Sequence, residues 1–344
     1  MRKTTSALLA ASIAGLLLIP GQANALPRGT RVRTYEGGLN FPVDMAWNPG
    51  TRTIYFTEKT GAIRVMKNGR LLSRPCARLD VNSDGERGAL GIVLHPRFKR
   101  TRKLYVYYTN ASPVVNKVAR FKVRNGRCRA KRNIIRGIPS ATNHNGGQLD
   151  FVGGKLFVSV GEAGDPSNAQ NLGSRLGKIL RYNPNGTVPG GNPFGPVWSY
   201  GHRNPFGLAH KPGTNKLYST ENGPDCDDEL NLIKRGRNYG WGSGYTCGSP
   251  VGPDPKGPLR SWTPPVVPTD PWWYKGRMKR LSGALYMGDY GTGRLHRFNF
   301  NQRGTRLRGH RVVYDASGIL DVSKGPGGWL YFLTGNAMMR IVPD

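Results

Sequence analysis

Residues 199–242 read SYGHRNPFGLAHKPGTNKLYSTENGPDCDDELNLIKRGRNYGWG. Arg203 and Asn204 stand before a short apolar run, and a strand-like Lys216-Leu217-Tyr218 follows. The chain then turns at Asn222-Gly223-Pro224 and passes an acidic cluster of Asp225, Asp227, Asp228 and Glu229. It closes on Tyr239-Gly240-Trp241. The central aromatic strand decides the fold, because the same small pattern can be followed through the whole chain.

An apolar residue, an aromatic and then alternating residues recur six times. The copies are Ile54-Tyr55-Phe56, Leu104-Tyr105-Val106, Leu156-Phe157-Val158, Leu217-Tyr218-Ser219, Leu285-Tyr286-Met287 and Leu330-Tyr331-Phe332, with the aromatics 50, 52, 61, 68 and 45 residues apart. A second apolar strand follows each, at Ile63–Met66, Val118–Val123, Ile179–Tyr182, Leu230–Ile233, Leu295–Phe300 and Met339–Val342. Units of about 45–50 residues with several short strands are the period of a β-propeller blade. A β-sandwich has no need for the same strand at near-constant spacing. The expected fold is therefore all-β, a six-bladed β-propeller of four-stranded antiparallel blades.

Upstream of most aromatic strands lies another apolar run: Val43–Trp47, Ala89–Leu94, Leu149–Val152, Phe206–Ala209 and Ile319–Val322. If these are the innermost strands, the residues leading into them converge on one mouth of the central channel, where propellers commonly bind ligands. Glu86, His144, Arg203 and Asn204 all hold such lead-in positions.

Composition agrees with many short strands, with 48 glycines and 26 prolines in 344 residues. Arg2 and Lys3, the apolar run Ala7–Ile19 and the small residues Ala23-Asn24-Ala25 form a secretory leader pattern, which places the mature start at Leu26. No later stretch approaches the roughly 18 apolar residues of a membrane span, so a secreted or periplasmic protein without a transmembrane anchor is expected. A single propeller domain over residues 26–344 is expected with it.

The four cysteines, Cys76, Cys128, Cys226 and Cys247, suit disulfides in an exported protein. Three pairings are possible, and the sequential one is favoured. Zinc has no supporting C-x-x-C or histidine pair. The formal charge of +31 attracts polyanions. The basic residues are spread along the chain without a nucleic-acid motif, which favours anionic cell-surface polymers over specific nucleic-acid binding.

The order G-H-R-N-P-x-G-L-A, E-x-G-P, D-E-L-N and N-Y-G-W closely resembles the signature of the soluble sugar dehydrogenases that use pyrroloquinoline quinone (PQQ), the glucose/sorbosone dehydrogenase family. The resemblance implies a PQQ- and Ca2+-dependent oxidoreductase acting on an aldose or related sugar, with an unidentified electron acceptor. His144, in Asn143-His144-Asn145-Gly146-Gly147-Gln148-Leu149, matches the family histidine that takes the sugar hydroxyl proton. Arg203 and Asn204 match polar contacts to the quinone. Gly223 and Pro224 match the turn whose carbonyls hold calcium. Glu86, Glu162 and Gln170 stand where the family has cofactor-site residues. Arg87 replaces a family glycine, and Glu162 is longer than the usual aspartate.

Among the other histidines, His95 sits at the wrong end of its strand for this site and His202 adjoins Arg203, while His210, His296 and His310 read as surface residues. The acidic cluster at Asp225 to Glu229 lacks calcium-loop spacing and reads as solvated turn acids.

The match thins after Gly242. A family R-x-R-D element aligns with Gly318-Ile319-Leu320-Asp321, so two arginines that engage the PQQ carboxylates are absent. A fifth-blade lysine is missing from Leu285–Tyr290, and Asp270-Pro271-Trp272-Trp273-Tyr274 replaces an A-P-S-G element. Arg294, Lys275 or Lys324 are the nearby candidates to stand in. A second reading follows: a non-catalytic propeller relative that binds a glycan, an anionic polymer or a protein partner.

Overall fold

The computed structural model describes residues 26–344, and the expected leader at residues 1–25 lies outside the described residues. Six antiparallel sheets stand around a central channel as the six blades of a β-propeller. Their innermost strands are Pro42–Trp47, Ala89–Leu94, Leu149–Val152, Pro205–His210, Pro268–Tyr274 and Ile319–Lys324. Each packs beside the next, and the last returns to the first.

The recurring aromatic segment is the second strand of every blade: Thr53–Glu58, Lys103–Thr109, Lys155–Val160, Leu217–Glu221, Ala284–Asp289 and Leu330–Thr334. It lies between an inner and an outer neighbour with both faces covered by adjoining blades, so both sets of alternating side chains are buried. Tyr105, Tyr107, Tyr108, Tyr218, Tyr286 and Tyr331 are fully enclosed. Burial of such a ring stabilises by about 1.5–3 kcal/mol, and each phenol that is buried needs a hydrogen-bond partner. Tyr105 finds Pro184 O at 3.0 Å, Tyr107 finds Asn145 O at 3.1 Å, and Tyr218 finds Gly304 O at 2.5 Å. All three bonds reach beyond the tyrosine's own strand, so they tie the blades together.

The innermost strand of blade 5, Pro268–Tyr274, breaks the expected pattern because Pro268 and Pro271 would normally argue against a strand. Its register with Ala284–Asp289 shifts between the two prolines, and the bulge accommodates them. In blade 1 the outermost place is divided between Arg70–Leu71 and Ala77–Arg78, both paired with Ala62–Lys67.

Blade 6 is assembled from both ends of the chain. Thr30–Glu36 pairs antiparallel with Met338–Pro343 as the outermost strand, which closes the ring by backbone hydrogen bonds. Two disulfides follow the sequential pairing, Cys76–Cys128 between the edges of blades 1 and 2, and Cys226–Cys247 within blade 4.

Threonine hydroxyls hold neighbouring blades at one height. Thr57 donates to Leu90 O at 2.6 Å, Thr220 to Thr269 O at 2.9 Å, and Thr269 to Ile319 O at 2.8 Å. These bonds align the starts of the innermost strands, so the loops leading into them share one mouth of the channel.

Candidate functional site

His144 stands in the loop that leads into the innermost strand of blade 3. Its Nδ1 lies 2.7 Å from Glu162 Oε1 and 2.8 Å from Oε2. A carboxylate only accepts, so Nδ1 donates to it and the Nε2 lone pair is left for other chemistry. The Glu162 side chain is nearly inaccessible, while that of His144 keeps 12% exposure. The histidine backbone is left-handed, with φ of 52°. It fits there because Gly161 leaves room: a Cβ at Gly161 would lie 2.1 Å from His144 O.

Glu86 and Asn204 fix the same loop from the two neighbouring blades. The His144 amide donates to Glu86 Oε2 at 2.7 Å, and Asn204 Nδ2 donates to the same oxygen at 3.2 Å. Asn204 Oδ1 in turn accepts the Gly146 amide at 3.1 Å. Blades 2, 3 and 4 are thus joined through Glu86, the His144 loop and Asn204.

Arg203 is held by groups that its own sequence neighbourhood barely announces. Its backbone amide donates to Glu221 Oε1. Glu221 Oε2 lies 2.9 Å from His202 Nδ1, and His202 Nε2 lies 2.9 Å from Ser199 Oγ. This Ser199–His202–Glu221 chain is buried, and His202 stacks on Tyr239 at 4.7 Å. It supports the Arg203 backbone and has no access to solvent. The guanidinium donates through Nη1 to Asn222 O at 2.9 Å and Gly223 O at 2.6 Å, and lies 5.3 Å from the Trp241 ring centre. Burial lowers its pKa from the ordinary guanidinium value, and Glu162, Glu221, Glu86 and Asp228 oppose that shift.

The Asn222-Gly223-Pro224 turn is braced by an acid from the cluster expected to be solvated. Asp228 is buried, accepts the Gly223 amide at 2.8 Å and accepts Val266 and Val267 amides at 2.6 and 2.7 Å. Three strong donors are the reason a carboxylate survives there without solvent. Asp227 binds Tyr245, while Asp225 remains exposed. The surface reading of three histidines is likewise corrected. His296 is buried between Asp289 and His310, and His210 pairs with Asp150.

Gln170 is engaged by the loop that carries Trp241. Its Nε2 donates to Asn238 Oδ1 at 2.9 Å and Trp241 O at 2.6 Å, which ties the short helix Ser167–Gln170 to the loop carrying Trp241. Beneath that helix the buried Lys178 Nζ donates to the carbonyls of Asn168, Ala169 and Leu176 at 2.7, 3.0 and 2.7 Å.

The blade 5 and blade 6 side of the mouth is aromatic. Tyr290 is 45% exposed and its ring meets Phe41 at 6.4 Å. A Cβ at Gly318 would lie 2.9 Å from the Tyr290 ring, at a backbone φ of 34°. A side chain at 318 would collide with that ring. Lys324 lies at the other end of the channel, beside Trp47 and with Nζ donating to Lys275 O. Arg294 is half exposed and pairs with Asp315 at 3.5 Å.

The family profile for glucose/sorbosone dehydrogenase matches residues 39–342. Aldose sugar dehydrogenase YliI of Escherichia coli is 30% identical over 350 residues, spanning 90% of this chain and 91% of the relative. A Synechocystis protein of undefined activity, slr1608, is 34% identical and spans 86% of this chain and 82% of its own length. The PQQ-bound form of an aldose sugar dehydrogenase from Streptomyces coelicolor superposes with a TM-score of 0.80 at 29% identity, covering 93% of this chain and all of that one.

Proposed function

The chain belongs to the glucose/sorbosone dehydrogenase family, and from that premise we propose a PQQ- and calcium-dependent oxidoreductase that oxidises an aldose or related sugar. The observation that carries this reading is the His144–Glu162 pair, with the His144 side chain 12% exposed, joined through Glu86 to Asn204.

The donor set fits the cofactor on the blade 4 side. Arg203 and Asn204 supply cationic and amide donors suited to a quinone with carboxylates. The carbonyls of Gly223 and Pro224 are hard oxygen ligands suited to calcium. Gly223 O already accepts from Arg203 Nη1, and its second lone pair is the one a cation would take. Bound PQQ would supply the two-electron acceptor for hydride leaving the sugar carbon.

His144 Nε2 receives the proton from the sugar hydroxyl, and the resulting imidazolium is stabilised through Nδ1 by Glu162. Glu86 holds the His144 backbone and Asn204 at once, which keeps base and quinone donor in a fixed relation. Gln170 acts indirectly, by anchoring the Trp241 loop against which Arg203 rests. Export to the periplasm or exterior belongs to the same reading. No helix among the described residues is long and apolar enough to cross a membrane.

A second reading draws on Tyr290 and Gly318. The Tyr290 ring fills the space that a side chain at 318 would need, so that position offers no cation to an anionic cofactor, as expected of a non-catalytic relative that binds a glycan or an anionic polymer. Titration of PQQ into calcium-loaded protein, followed by quenching of tryptophan fluorescence, separates the two. Saturation with a Kd in the micromolar range or below supports the oxidoreductase, and no change up to about 50 μM, some 6 kcal/mol of binding, leaves the second reading.

A further inference from the structure

The channel has a second feature, remote from His144. A cavity of about 670 Å3 runs into it from the opposite mouth, past His95, Trp272 and Lys324. Where it reaches the starts of the innermost strands it meets Asp44, Asp270 and Asp321, from blades 1, 5 and 6. One ligand oxygen from each lies within 4.8 Å of the others. The three residues are 4%, 6% and 1% exposed.

Each carboxylate uses one oxygen to accept a backbone amide from the innermost strand of an adjoining blade. Asp44 Oδ2 takes Ile92 N at 2.6 Å, Asp270 Oδ1 takes Leu208 N at 2.9 Å, and Asp321 Oδ2 takes Met45 N at 3.0 Å. These amides set the orientation of the acids before any ligand arrives. Among the described residues no N–H or hydroxyl group reaches the buried Asp321 Oδ1, and the side chain that faces Asp321 is the carboxyl of Asp270. Among the described residues no Lys or Arg forms an ion pair with any of the three. The same cavity is lined by Asp150 and His210, which pair with each other. An unpartnered carboxylate oxygen beside two more buried acids needs a cation or shared protons.

We propose that Asp44, Asp270 and Asp321 form a calcium site in the central channel that ties blade 6 to blades 1 and 5. Three carboxylate oxygens within 4.8 Å of one another need only a small closing movement to reach the 2.3–2.6 Å typical of calcium, and water from the cavity completes the coordination. Hard oxygen donors without nitrogen or sulfur disfavour zinc and copper. The location gives the ion a structural task. Blade 6 is the blade built from both chain ends, and Asp321 already binds Met45 across its seam with blade 1. Calcium there replaces mutual repulsion of three acids by a shared attraction at that seam. Burial raises the pKa of all three, and Asp44 adds a repulsive push on Asp270 and Asp321, so without calcium the cluster relieves only part of its repulsion by taking up protons.

The site is independent of the redox reading, and its test omits PQQ. Metal-stripped full chain is titrated with calcium by calorimetry and melted with and without calcium, for wild type, Asp321→Asn and Asp44→Asn. Wild type should gain several degrees in Tm with calcium. Each variant should lose one calcium equivalent or bind it at least about 10-fold more weakly. Calcium-free Asp321→Asn should melt at or above calcium-free wild type, since the substitution removes a repelling charge and keeps an acceptor for Met45 N. Calcium held by the Gly223 turn would be untouched in these variants. If both variants retain every calcium equivalent at wild-type affinity, or if calcium leaves the wild-type Tm unchanged, the site does not exist.

Discussion

Glu162 accepts the Nδ1 proton of His144 at 2.7 Å from a position that is itself almost completely buried. The pair therefore has one fixed nitrogen and one available nitrogen, a division of labour required of a base that must present the same tautomer at every turnover.

The first prediction concerns that pair. Glu162→Gln keeps the size of the side chain and removes the charge that stabilises imidazolium. In the sugar-dependent reaction, kcat should fall by about 10²-fold or more with a small change in KM. Glu162→Asp should recover part of the loss, because aspartate keeps the negative charge that stabilises imidazolium. Equal losses in the two variants would mean that Glu162 only packs.

The aromatic side of the mouth makes a second prediction. Gly318→Arg alone should destabilise the protein, because a Cβ there meets the Tyr290 ring at 2.9 Å on a left-handed backbone. Paired with Tyr290→Ala, the arginine has room to reach an anionic cofactor. A charge-assisted contact contributes about 1.5–3 kcal/mol, so PQQ should bind about 10-fold or more tighter than to Tyr290→Ala alone. Unchanged affinity would show that this side of the mouth does not face the cofactor.

Lys178 supports a third. Burial pulls its pKa down to about 7, yet the three carbonyl acceptors around Nζ match the three donors of an ammonium. Lys178→Met leaves those buried carbonyls unpaired and should cost about 3 kcal/mol or more. Thermal melting would register a loss of several degrees, and limited proteolysis should begin near Ser167–Gln170. A melting curve within a degree of wild type would contradict this.

The fourth is a pH dependence. The Asp150 carboxylate raises the pKa of His210, with burial opposing. The folded state then holds the proton more tightly than the unfolded chain, so the pair stabilises fully below about pH 6.5 and its contribution disappears as pH rises through the folded pKa. The Tm difference between wild type and His210→Gln should shrink over that interval. A difference independent of pH would remove His210 as its source.

Much of the fold was legible because its strongest signal is local. The aromatic strand of each blade is buried on both faces, and six such segments mark all six blades without any knowledge of their pairing. Pro268–Tyr274 escaped because two prolines hide a strand whose bulge tolerates them. The closing strand Thr30–Glu36 escaped because its partner lies at the other end of the chain.

The site divides in the same way. His144, Glu162, Glu86, Arg203 and Asn204 sit at lead-in loops or strand ends whose height follows from the repeat, and the structure brings them together. The buried Ser199–His202–Glu221 support left only a trace, a histidine and a glutamate flanking the same strand pair. Asp44, Asp270 and Asp321 left a weak one, since each is a lone acid in an apolar run and the register shifts beside them are not written in composition. The spacing of innermost strands could have flagged them as equivalent positions.

The most direct measurement is dye reduction by purified protein supplied with PQQ and calcium, across a panel of aldoses, for wild type and His144→Ala. The account predicts aldose-dependent reduction by wild type, and a loss of about 10³-fold or more in His144→Ala with PQQ affinity within a few-fold of wild type. Turnover that persists in His144→Ala, or wild type that binds PQQ and reduces no dye with any aldose, would contradict it.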